Sequence, residues 1–168
     1  KDKSTKRCLV KSVNEGWTLC EDRVDKPGWV TSKIGASMRF NVEFGANPGF
    51  SVSYLRSYEG IGNIQLTLNN VSTVIYGLWP NTRDPGNHIS IEDTIWFAAS
   101  YKSSQLAHKA GGWARNEVYW GTGFRMDPNS SGVIEVRFLG NKTTWNSQVL
   151  DNGKPSSLKF KLVSIVSC

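Results

Sequence analysis

In the stretch SMRFNVEF, Met38, Phe40, Val42 and Phe44 take every second position while Arg39, Asn41 and Glu43 fill the others. Successive side chains of an extended strand point to opposite faces, so such a run buries one face of a sheet and wets the other. The same period recurs in Phe50, Val52 and Tyr54, in Ile64, Leu66 and Leu68, and in Ile134, Val136 and Phe138 around Glu135 and Arg137. It returns in Leu158, Phe160 and Leu162 around Lys159 and Lys161. No stretch of similar length carries a helical period. Turn signals separate the runs: Lys26-Pro27-Gly28, Gly45-Ala46-Asn47-Pro48-Gly49, Asp84-Pro85-Gly86-Asn87, Asp127-Pro128-Asn129 and Asn152-Gly153-Lys154-Pro155. Short alternating strands at this spacing predict an all-β fold, a two-sheet antiparallel β-sandwich of jelly-roll type with about nine strands. Within it, Trp96 in TIWFA is expected in the core and Trp29 at one end of the sandwich.

The length of 168 residues suits a single domain over 1–168. The net charge of +6 permits polyanion binding, but the only dense basic cluster is Lys1, Lys3, Lys6 and Arg7, a basic N-terminal tail over 1–7. No basic stripe interleaved with aromatics accompanies it, so no nucleic-acid partner is expected. No apolar run reaches the roughly 20 residues of a membrane span. The opening KDKSTKRC has no hydrophobic leader, as in a cytosolic, processed or excised chain. Three N-x-S/T sequons, at Asn70, Asn129 and Asn141, fall where turns are expected and favour a secreted or cell-surface protein.

Cys8, Cys20 and Cys168 match neither a zinc pattern nor a CxxC redox pair. A hairpin about Asn14-Glu15-Gly16 would bring Cys8 opposite Cys20; equally, Cys168 would staple the last strand to the first. Either pairing leaves one thiol for another chain or domain.

Catalytic signals are weak. His88 and His108 lack a G-x-S-x-G nucleophile elbow. Glu59 and the Glu92-Asp93 pair stand at strand ends, the least unsuitable carboxylates for a glycosidase. No cofactor is expected. A structural calcium ion on Asp84 or Asp127 is conceivable, but no spacing demands it. The stronger functional signal is aromatic. A long loop over 101–124, with a short helix conceivable at SSQLAHKA, carries Tyr101, Trp113, Tyr119 and Trp120, and Trp79 precedes Pro80. Flat rings ringed by polar groups suit the apolar C–H faces of sugars.

The stretch SYLRSYEGIGNIQLTL packs Arg56, Tyr58 and Glu59 between two strands. It reads as a structural corner: an Arg56–Glu59 ion pair beside Tyr58, with Gly60 and Gly62 supplying backbone freedom.

Together, GWTLCEDRVDKPGWV, IGASMRFNVEF, SVSYLRSYEGIGNIQLTL, GVIEVRFLGN and SLKFKLVSIV resemble the β-sandwich domain that accompanies GDSL/SGNH-type esterase domains in secreted or membrane-linked proteins of plants and algae. The ordered pattern is GW, KPGW, a G-x-x-φ-x-φ-x-φ strand, YL-x-SY-x-x-(M/I)-G and a KFK-type strand. Arg56 takes the variable position, and Ile61 stands where Met is usual. The resemblance spans nearly the whole chain outside 101–124. It implies an accessory module, and because the GDSL block is absent it transfers no esterase chemistry. The resulting expectation is a non-catalytic extracellular module that binds a glycan or glycoprotein through loop aromatics. The alternatives are a structural module of a larger surface assembly, held by sheet edges and a spare cysteine, and, third, a hydrolase.

Overall fold

The computed structural model describes residues 7–14, 16–21, 26–57, 60–78, 90–98, 117–119, 124–140 and 158–168. These form eleven strands: β1 (Arg7–Asn14), β2 (Trp17–Glu21), β3 (Pro27–Thr31), β4 (Ser37–Glu43), β5 (Gly49–Arg56), β6 (Asn63–Leu68), β7 (Val71–Tyr76), β8 (Ile91–Ala98), β9 (Glu117–Tyr119), β10 (Ser131–Gly140) and β11 (Phe160–Ser167). One sheet runs β1-β2-β3-β11-β5-β8-β9 and the other β4-β10-β6-β7. Leaving aside β1, β2 and β9 at the rims, the order is that of an eight-stranded jelly roll: four strands against four, with β10 and β11 inserted between earlier neighbours. All pairs are antiparallel except β8–β9, which is parallel.

Where the alternation counted about nine strands, β1 and the three-residue β9 extend the larger sheet. Arg7, grouped with the basic tail in sequence, opens β1 opposite Glu21. The loop expected over 101–124 contributes β9, and its last residue, Phe124, is buried against Phe50 and Phe97 with ring centroids 5.7 and 5.4 Å apart. The SSQLAHKA segment lies outside the described residues.

The core is the apolar half of the alternation. Met38 and Val42 of β4, Ile134, Val136 and Phe138 of β10, and Ile64, Leu66 and Leu68 of β6 meet Phe50, Val52 and Tyr54 of β5, Ile95 and Phe97 of β8, and Phe160 and Leu162 of β11. Each such side chain contributes about 1.5–3 kcal/mol on burial, so this interlock dominates the stability. Trp29 packs partly buried against the core. Trp96 departs from expectation: it is half-buried on the outer face, paired with Ser51, while Ile95 and Phe97 point inward. Three consecutive apolar residues cannot all face one side of a strand.

A register shift between Leu162 and Ser164 inserts Val163 as a bulge in β11. Before it, Leu162 faces the core; after it, Ile165 does. The extra residue reverses the alternation half-way along the strand.

The corner between β5 and β6 is tied to Gly77 and Lys159 by three backbone hydrogen bonds. Ser57 N–H donates to the Gly77 carbonyl at 2.9 Å, Gly62 N–H to Lys159 O at 2.9 Å, and Lys159 N–H to Gly60 O at 3.2 Å. Gly60 has φ +65°, the left-handed conformation that glycine adopts freely. Gly62 is glycine for another reason: a Cβ there would stand 2.7 Å from the Phe138 ring. Arg56 turns inward, and its Nη1 donates to Asp93 Oδ2 on β8 at 2.9 Å, with side chains only 10% and 2% exposed. The ion pair therefore joins two strands across 37 residues. Tyr58 and Glu59 lie outside the described residues.

Removing one partner of a buried ion pair strands the other charge, so Asp93→Ala should lower the unfolding free energy by about 3–5 kcal/mol, whereas the double change Arg56→Met/Asp93→Leu should recover most of it. Urea denaturation of the three proteins tests this; a single variant as stable as the parent would show that the pair does not hold the corner.

Candidate functional site

The polar half of the alternation forms the outer face of the four-stranded sheet, and register aligns it in rows. Arg39, Glu135, Thr67 and Ser72 stand side by side across β4, β10, β6 and β7. Above them run Ser37, Arg137, Gln65 and Val74, and below them Asn41 stands opposite Val133. Two contacts order the central row: Arg39 Nε donates to Glu135 Oε2 at 3.0 Å, and the Thr67 and Ser72 hydroxyls share a hydrogen bond of 2.8 Å. Asn69 Nδ2 donates to the Arg125 carbonyl at 2.9 Å and fixes the rim.

Part of this face, with Arg39, Asn41, Thr67, Asn69, Val133 and Glu135 in its lining, forms an open groove of about 760 Å³. Its walls offer guanidinium, carboxylate, amide and hydroxyl groups, and Val133, 45% exposed, gives it one apolar patch. The whole face carries Arg39 and Arg137 against Glu43 and Glu135, and the groove itself holds Arg39 against both glutamates, so neither is positive despite the chain's net +6. Such a surface favours a neutral, hydroxyl-rich ligand over a polyanion. By contrast, the cavity beside Arg56 and Tyr54 measures about 20 Å³, room for one water molecule and no larger ligand.

Of the aromatic residues singled out in sequence, Trp79, Tyr101, Trp113 and Trp120 lie outside the described residues. Tyr119 ends β9, in register with Phe97. The carboxylates considered for hydrolysis are separated: Glu92 is exposed, while its neighbour Asp93 is buried on the opposite face and bonded to Arg56. Successive strand residues cannot converge on one substrate atom. His88, His108 and Asp84 lie outside the described residues; Asp127 is exposed in the turn before β10. Among the described residues no group of three or more His, Cys, Asp or Glu is placed to hold a metal, and no helix is long and apolar enough to cross a membrane.

Asn70 and Asn129 are both exposed at left-handed turns, with φ +64° and +54°; Asn141 lies outside the described residues. Register places Cys8 directly opposite Cys20. Cys168 is a free, exposed cysteine whose backbone pairs with Gly49. β2 and β3 lie between β1 and β11, a span of roughly 14 Å at ~4.8 Å per strand. A disulfide tolerates roughly 7 Å between Cα atoms, which excludes the staple between the last strand and the first.

The groove was not singled out from sequence. Its residues were visible as the wet half of each strand, but nothing local says that β4 and β10, some 90 residues apart, are neighbours.

Neither a known protein family nor a curated protein matches the sequence. Among solved structures, the chain is similar to a two-domain esterase (CEX) active on acetylated mannans and co-crystallised with mannopentaose, with a TM-score of 0.51 and 17% identity over 97% of this chain and 35% of that one. A second crystal structure of a two-domain esterase (CEX) active on acetylated mannans aligns with a TM-score of 0.48 and 15% identity over 95% and 34% of the two chains. The likeness is one of fold. The chain spans about a third of the length of the esterase it matches.

The groove contacts are solvent-screened, so Arg39→Ala should change unfolding free energy by less than about 1 kcal/mol, while Leu66→Ala, on the core side of the same sheet, should cost about 2–5 kcal/mol. Equal losses in a denaturation series would make the Arg39–Glu135 row structural rather than free for ligand contact.

Proposed function

We propose that the chain is a non-catalytic extracellular module that binds a neutral glycan on the outer face of its four-stranded sheet and works beside an ester-hydrolysing domain. The observation that carries this reading is the groove without positive excess, where Arg39 faces Glu43 and Glu135 among amide and hydroxyl groups around one apolar patch. Sugar hydroxyls are both donors and acceptors, and such mixed walls can satisfy both. The fold likeness to part of an esterase active on acetylated mannans supports a carbohydrate setting and suggests acetylated mannan as the first ligand to try. A non-catalytic role is favoured by the commitment of Asp93 to Arg56 and the outward placement of Glu92.

The extracellular setting is supported by two sequon asparagines on exposed turns and by the facing positions of Cys8 and Cys20, which suit a cross-strand disulfide. Non-reducing peptide mapping should yield a Cys8–Cys20 link and a Cys168 that alkylates without reduction. A linked Cys168 would favour a covalent assembly instead.

Affinity electrophoresis through gels containing acetylated mannan, deacetylated mannan or pectate tests the binding role. Retardation is expected on the neutral mannans and not on pectate. The double variant Asn41→Ala/Glu135→Ala should weaken it about tenfold, equivalent to about 1.4 kcal/mol. Raising salt from about 0.05 to about 0.5 M should change it little, since no net charge is neutralised. Loss of binding in Trp113→Ala/Trp120→Ala with the groove variant unaffected would move the site to the aromatic loop; absence of retardation on every glycan would end the reading.

A further inference from the structure

Asn70 and Asn129 are 59 positions apart in sequence, yet they sit at the same end of one sheet. Asn70 is the second residue of the two-residue turn between β6 and β7, where Asn69 and Asn70 have φ +51° and +64°. Both central residues of a type I′ hairpin turn require positive φ, and asparagine tolerates it. Asn129 precedes β10, and its N–H donates to the Gly45 carbonyl at 3.0 Å. Because β10 runs antiparallel to β4 and β6, its start lies beside their ends. The two sites differ in one respect: Asn70 lines the groove, and Asn129 does not.

We propose that Asn70 carries an N-linked glycan whose first sugars lie in the groove, so that the site is occupied by the protein's own carbohydrate. In the modification, Asn70 Nδ2 attacks the anomeric carbon of a lipid-pyrophosphate-linked oligosaccharide. A C–N bond forms, the C–O bond to pyrophosphate breaks, the amide loses a proton and the lipid pyrophosphate departs. Ser72 supplies the sequon hydroxyl. The folded chain accommodates the product, because the Asn70 side chain is exposed at the rim. The groove, at about 760 Å³, falls within the roughly 300–1,000 Å³ of ordinary ligand sites.

Tethering supplies the driving force. A short flexible linker holds its ligand at an effective concentration in the millimolar range. A groove that binds sugars only at millimolar Kd is then about half filled by the attached glycan, a step that rests on the groove being glycan-binding as proposed above. Free glycan must displace it, so release of the attached sugar should tighten external binding about twofold or more.

The full chain, secreted from a glycosylating host, tests this. Glycopeptide mass spectrometry should find Asn70 occupied. Hydroxyl-radical labelling of Val133, in the middle of the groove, should rise about threefold when the glycan is released by a peptide N-glycosidase, which leaves aspartate, a residue that also tolerates the left-handed turn. Ser72→Ala, which never acquires the sugar, should label like the released protein, and Asn129→Asp should label like the parent. An unmodified Asn70, or equal labelling of Val133 with and without its glycan, overturns the proposal. Protection of Val133 without any external binding after release would sustain it while removing the proposed binding role. External binding with Val133 never protected would do the reverse.

Discussion

The apolar rows that β10 and β11 drive between their neighbours hold everything else in place. Ile134, Val136 and Phe138 fill the middle of one inner face, Phe160, Leu162 and Ile165 the middle of the other, and each row meets the opposite sheet. At about 1.5–3 kcal/mol per side chain, a few of these contacts outweigh every exposed polar contact of the molecule. Parity does the rest. Because inner and outer residues alternate along the same strands, fixing Leu66 and Val136 in the core also fixes Thr67 and Glu135 on the surface, one residue away. The groove owes its shape to side chains it never exposes.

Arg56 and Asp93 stand at the end of that interlock, where the inner row of β5 and β8 changes from apolar to charged. Two charges removed from water gain little net stability even when well bonded, and their value lies in excluding other arrangements. A one-residue slip of β5 against β8 would carry one partner to the opposite face and leave the other charge buried alone. The corner of Ser57, Gly60 and Gly62, tied to Gly77 and Lys159, closes the same end. Specificity there comes from the polar groups and adhesion from the hydrophobic ones.

Much of this was legible in sequence because a period of two admits one interpretation. The strands around Met38, Phe50, Ile64, Ile134 and Phe160 announce both their conformation and their buried side. What stayed hidden depends on partners far along the chain. Arg56 was readable as part of a corner, but its bond to Asp93 follows from a β5–β8 register that no local pattern encodes. Trp96 misled because TIWFA is apolar on both faces, so composition suggested a core position that parity denies. The bulge at Val163 was invisible for a related reason: in KLVSIV the apolar residues fit either face, and only pairing with Tyr54 and Ser53 decides. The groove failed to show because its rows are assembled across four strands, each contributing ordinary solvent-facing residues.

The placement of β10 and β11 between earlier strands has a consequence for synthesis. Both sheets lack a middle until the chain has been made almost to the end of the described sequence: β5 ends at Arg56, yet the strand that joins it to β3 begins at Phe160. At about 5–20 residues per second of translation, the Val52 and Tyr54 row waits on the order of 5–20 s for its neighbour. During that time an apolar strand edge stands open to any other chain nearby. A chain of this topology therefore exposes that edge for longer than one whose neighbouring strands are made in succession.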